Sequence, residues 1–142
     1  MYATREDVLG QIEEATLVRL TDDAGTGAVD EAKVMRALTD ASEEIDGYVG
    51  SRNAVPLSPV PAIIRKLCVD IAVFNLYARR EAVPEVRAER YRNALRFLEK
   101  VAQGAISLGA DDPEGSPPAT DAPRMSPFNP PRLFTRGSTK GF

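Results

Sequence analysis

The stretch Ser58-Pro59-Val60-Pro61-Ala62-Ile63-Ile64-Arg65-Lys66-Leu67-Cys68-Val69-Asp70-Ile71-Ala72-Val73-Phe74-Asn75-Leu76-Tyr77-Ala78-Arg79-Arg80 decides the fold. Ser58-Pro59 fits a helix N-cap followed by proline at the first helical position, where the missing N–H is not needed. From there to about Arg80, Ile63, Ile64, Leu67, Cys68, Ile71, Ala72, Val73, Phe74, Leu76 and Tyr77 cover nearly the whole circumference of a helix. A helix apolar all round is normally central and surrounded by others. Asp70 is its one interior acid, four residues from Lys66, and is expected to pair with a base or face solvent.

Working outward, residues 53–60 contain Pro56 and Pro59 and cannot be regular helix. Before them, Asp30 reads as the N-cap of a long helix to about Arg52. Val34, Leu38, Ala41, Ile45, Tyr48 and Val49 recur there at helical spacing, with Lys33, Arg36, Asp40, Glu43 and Glu44 opposite. Gly47 and Gly50 weaken its last turns. Downstream, Pro84 opens a last long helix to about Gln103, with Val86, Tyr91, Ala94, Leu95, Leu98, Val101 and Ala102 on one face and Gly104 as its C-terminal cap. Ile106-Ser107-Leu108 reads as one short strand. At the start, Thr4 caps a short helix to Ile12, with Asp7 in a box-like position. A second short helix is expected over about Glu13 to Leu20. The fold class is therefore all-α: a small bundle of about four helices (two short N-terminal, three longer) over residues 1–109, followed by an extended Pro-rich tail over 110–142.

Composition narrows the function. The chain has 142 residues, 43% hydrophobic and 27% charged, as expected of one soluble domain. No apolar run approaches the ~20 residues that span a bilayer, and the first seven residues lack a basic-then-apolar secretion pattern. There is no histidine, and Cys68 is the sole cysteine. A structural zinc site and Ser/His or Cys/His nucleophile pairs are thereby excluded. Asp70 alone, with neither a partner acid nor a histidine, does not make a catalytic site. The expectation is a protein that is not an enzyme, with no catalytic residue, no cofactor and no metal.

The loop starting at Asp22 partly mimics a calcium-binding EF-hand. With Asp22 as first position, Gly27 falls at the sixth, but Ala24 stands at the third and Lys33 at the twelfth, where calcium needs oxygen ligands. The loop is better read as a turn with a helix cap.

Charge is unevenly placed. Residues 1–46 hold 12 acids and 4 bases, whereas residues 47–108 hold 10 bases and 5 acids. Such polarity would suit head-to-tail self-association, with Arg87, Arg90 and Arg96 of the last helix meeting a neighbour's acidic face. Two solvated faces would give the same pattern. The arginines of this helix could also contact phosphates, but the overall net charge of −3 disfavours a dedicated nucleic-acid binder.

The tail from Ala110 holds seven of the eleven prolines and three of the five phenylalanines. By composition it cannot build a core of its own. After Asp121 it has no acid, but it carries Arg124, Arg132, Arg136 and Lys140 interleaved with Phe128, Phe134 and Phe142. Aromatic and arginine side chains dominate protein interfaces. The tail is expected to leave its own domain and cross an adjacent protomer or another partner, with Phe134 and Phe142 as anchors.

Several segments resemble a known family. They are Met1-Tyr2-Ala3-Thr4 with Asp7, Leu20-Thr21-Asp22, Ala37-Leu38-Thr39-Asp40-Ala41-Ser42-Glu43-Glu44-Ile45-Asp46-Gly47-Tyr48, Pro56-Leu57-Ser58-Pro59-Val60-Pro61, Cys68-Val69-Asp70-Ile71-Ala72, and Phe134-Thr135-Arg136 with Lys140-Gly141-Phe142. In order and spacing they resemble the Mu-like bacteriophage head–tail connector (adaptor) proteins, across essentially the whole chain. The resemblance implies a helical adaptor in the virion neck that forms a ring, typically dodecameric, beneath the portal protein. Such a ring extends the DNA channel without reading sequence and docks the next neck or tail protein. A neck stopper or tail-terminator is the neighbouring alternative. A cytosolic helical regulator or DNA-packaging accessory is the alternative from another class.

Overall fold

A computed structural model describes residues 1–109, and the tail lies outside the described residues. Five helices follow in order: α1 (Arg5–Leu9), α2 (Glu14–Thr21), α3 (Glu31–Val49), α4 (Ala62–Arg80) and α5 (Glu85–Ala102). The described residues contain no strand, and the fold is all-α.

Helix α4 is the centre, as its apolar circumference predicts: it touches each of the other four. Ten of its 19 residues are buried, from Ile64 to Tyr77. Ile64, Ile71 and Val73 have no exposed surface, and they meet Leu38 and Ile45 of α3, Leu17 and Leu20 of α2, Val8 of α1 and Leu98 of α5 in one core. Removing this surface from water, at roughly 25 cal/mol per Å² of apolar area, is the main force assembling the helices. Phe74 of α4 stacks on Tyr91 of α5 with ring centroids 4.0 Å apart, and the Tyr91 hydroxyl donates to Glu44 of α3. One aromatic pair thus ties the three long helices together.

The caps follow local rules. Thr4 and Asp7 form a reciprocal capping box, and the Asp30 carboxylate accepts from the N–H groups of Ala32 and Lys33 at the start of α3. Helix α5 ends in a Schellman motif, with Ala105 N–H on Lys100 O and Gly104 N–H on Val101 O. Gly104 adopts φ 78°, and a Cβ there would collide with the Arg52 guanidinium.

Three boundaries differ from the sequence reading. Helix α4 starts at Ala62, not at Pro59, and its N-cap is Pro61. Val60 precedes a proline and is therefore pushed out of the helical region, so the helix cannot begin before Pro61. Helix α1 stops at Leu9 instead of Ile12, because Glu13 must be extended (ψ 151°) to launch α2. Helix α3 ends at Val49, with Gly50 as its cap, and the chain turns back through N–H bonds from Arg52 and Asn53 to Val49 O. The strand expected at 106–108 is not formed: among the described residues no second strand exists to pair with, and Ile106 and Leu108 pack against the core instead.

Ile71→Ala is expected to destabilise the domain by about 2–5 kcal/mol, since it empties a fully buried site on the central helix. Met35→Ala, on the exposed side of α3, is expected to change stability by less than about 0.5 kcal/mol. Urea unfolding followed by circular dichroism measures both.

Candidate assembly interface

Among the described residues, the acidic first half and basic second half meet at one carboxylate, Asp23. The Asp23 carboxylate, in the α2–α3 loop, receives Arg79 through both oxygens (2.8 and 3.0 Å), Arg80 at 2.7 Å and Lys33 at 2.7 Å. Arg79 also donates to Leu20 O at the end of α2. Arg19 pairs with Glu81. The Arg79 and Lys33 hydrogen bonds hold the Asp23 carboxyl well below the usual carboxylate range. The same partner, Asp23, raises both Arg79 and Lys33.

The calcium-like loop resolves in the same place. Asp22 accepts from the backbone of Thr26 and Gly27, closing the turn. Lys33 Nζ lies 2.9 Å from Thr21 O, 2.7 Å from Asp23 and 3.0 Å from Asp30. The Lys33 ammonium thus pairs with two of the loop's three carboxylates, Asp23 and Asp30. Among the described residues no cluster of acids and thiols is placed to hold a metal ion.

Of the three arginines read as ring contacts, two are engaged within the protomer. Arg87 donates to the side chain and the carbonyl of Gln11 (3.0 and 2.9 Å), anchoring the α1–α2 turn to α5. Arg90 reaches Gln11 Oε1 at 3.1 Å and stands 3.7 Å from Asp70 Oδ1. Arg96 points outward, with a single 3.4 Å contact to Asn93. Asp70 is 3% exposed and takes a 2.8 Å bond from Lys66, so it pairs with bases and does not face solvent. Cys68 is buried with Sγ 3.5 Å from Ser42 Oγ, and burial pushes its thiol up. The tail residues Arg124, Phe128, Arg132, Phe134, Arg136, Lys140 and Phe142 lie outside the described residues.

Sequence reading missed a polar network on the opposite side. Tyr2 donates its hydroxyl hydrogen to Asp46 and accepts from Leu57 N–H at 2.9 Å, while Tyr2 N–H bonds Ser42 Oγ at 3.0 Å. Burial first, and the Asp46 bond second, push the Tyr2 hydroxyl up to about 12. These partners lie 40 or more residues apart in the chain, so no local spacing could reveal them. Exposed apolar side chains remain at Met1, Met35, Val55, Ile63 and Val86, the last 62% exposed. No helix among the described residues is long and apolar enough to cross a membrane.

Comparison with known proteins places this helical body among phage proteins. A family profile described as Bacteriophage Mu, Gp36 matches residues 2–126, and the chain belongs to that family. It is 37% identical over 142 residues to the Mu-like prophage FluMu protein gp36 of Haemophilus influenzae, covering 100% of this chain and 98% of that protein. It is 32% identical to Gene product J of Escherichia phage Mu, covering 99% and 98%.

Two predictions follow from the charge network. The Asp23 carboxylate is depressed in the folded state, so its contribution is complete above about pH 4, the unfolded value. It is lost as pH falls further, through the folded value. Asp23→Asn should remove this part of the acid limb in a pH series of urea midpoints; an unchanged limb would mean the clamp contributes nothing. Arg87→Glu should lower stability by about 1–3 kcal/mol, because it strips two bonds from Gln11. Arg96→Glu should leave stability within about 0.5 kcal/mol, which frees Arg96 to serve as the cleaner probe of assembly.

Proposed function

We propose that this protein is a structural head–tail connector (adaptor) of a tailed bacteriophage. It forms a ring beneath the portal, extends the DNA channel and docks the next neck or tail component. The observation that carries this reading is end-to-end collinearity with a Mu protein and a Mu-like prophage protein, on a small all-helical body. Such a body suits the role. A core built round one helix makes each protomer a stiff block, and the ion-paired loops fix its faces. The net charge of −3 weakens adhesion to phosphates, which suits a conduit that DNA must pass through and leave. The absence of histidine supports a protein without turnover chemistry. Within this reading the Pro-rich tail, with Phe134 and Phe142, crosses a neighbouring protomer or the portal.

Quantitative mass spectrometry of purified particles tests the proposal. The protein should be present at the ring stoichiometry of the portal, and deletion of residues 123–142 should leave a helical domain that no longer enters particles. Complete absence of the full-length protein from mature particles would refute the adaptor reading and favour a cytosolic accessory.

A further inference from the structure

A cavity of about 120 Å³ opens between the α3–α4 connection and the end of the described chain. Pro56, Leu57, Pro59 and Pro61 form one side, and Leu108 and Gly109 the other. Its size is that of one aromatic ring: an apolar cavity of roughly 150 Å³ holds a benzene molecule. The proline-bearing wall is fixed before anything binds. Leu57 N–H is held by Tyr2, which is itself held by Asp46 and Ser42, and three wall residues are prolines with a locked φ. Asn53 and Ser58 add polar groups to the lining; the prolines, which lack an N–H, supply with Leu57 and Leu108 the apolar surface that an aromatic ring can face.

We propose that this cavity receives Phe134 from the tail of a second copy of this chain. The inference rests on the adaptor reading above and adds the socket for its tail. The sequence beyond Gly109 supplies the occupant. Residues 110–127 contain no aromatic and four acids, whereas Phe134 follows Leu133 in an acid-free, basic segment. Phe134 lies 25 residues beyond Gly109, a reach of up to roughly 80 Å. A domain of about 100 residues has a radius of gyration near 13 Å, so the tail can cross one protomer and enter the next. Each copy then offers one tail and one socket, a heterologous contact whose repetition closes a ring.

Cysteine trapping with full-length chains tests this. Ser58→Cys, on the cavity rim, is mixed with Thr135→Cys, beside Phe134, and oxidised; Cys68 is buried and stays out of the exchange. A disulfide joining the two variants is expected, in excess of either alone and of an Asp40→Cys surface control. Phe134→Ala on the tail copy, or Leu108→Asp on the socket copy, should each lower the yield about tenfold or more. A chain carrying both cysteines should give a ladder of linked oligomers. An internally bridged monomer would overturn the second-copy assignment, and a yield no higher than the control would overturn the socket. The same oxidation on particles separates the two readings. Protein present without the disulfide refutes the socket and leaves the adaptor standing. Protein absent refutes the adaptor, and the solution mixture alone then decides the socket.

Discussion

Burial of α4 on nearly every side is the constraint from which the rest of the domain follows. A 19-residue helix with ten buried positions cannot be covered by one neighbour. It needs α3 along one side, α5 along another, and the short α1 and α2 over what remains. The shortness of α1 and α2 follows as well, since each covers only a part of α4 that the long helices leave open. Polar groups within this arrangement have to be matched. Asp70, almost wholly buried, is matched on one oxygen only: Lys66 bonds Oδ2 at 2.8 Å, while Oδ1 has no hydrogen-bond partner and is faced by Arg90 at 3.7 Å, so losing Lys66 would leave a buried carboxylate without a hydrogen bond.

The charge polarity of the sequence has a use that composition did not suggest. By composition alone, its acids and bases suit faces for a neighbour or for solvent. One acid of the first half, Asp23, meets bases of the second, Arg79 and Arg80, and with Lys33 beside them it fastens the α2–α3 loop to the end of α4. Arg87 fastens the α1–α2 turn to α5. These pairs are partly exposed, so each adds modestly to stability, but together they hold the α2–α3 loop against α4 and the α1–α2 turn against α5. Arg96, left outside the network, carries the ring hypothesis that the sequence spread over three arginines.

Features set by neighbours in sequence were legible, and features set by distant partners were not. The Asp30 and Thr4 caps, the Gly104 ending and the centrality of α4 all depend on residues within a turn or two of one another. The start of α4 depends on two signals that compete: Ser58-Pro59 looks like a helix opening, but Pro61 keeps Val60 out of the helical region, so the helix begins at Ala62. Residues 106–108 have the apolar ends of a strand, but a strand needs a partner and none exists among the described residues. Tyr2 with Asp46 and Leu57, and the cavity beside them, depend on chain segments brought together only by folding. For assembly the legible part was the family, carried by collinear short segments and matched over residues 2–126.

As an adaptor, the function proposed above, this five-helix body would form a ring at the neck of a phage particle. Electron cryomicroscopy of the neck of particles carrying this protein tests that most directly. The expected result is a closed ring beneath the portal, coaxial with the DNA channel, into whose density the α4-centred bundle fits once per subunit. A neck whose ring is fully explained by other proteins, with this bundle fitting only at the tail end or nowhere, would contradict it.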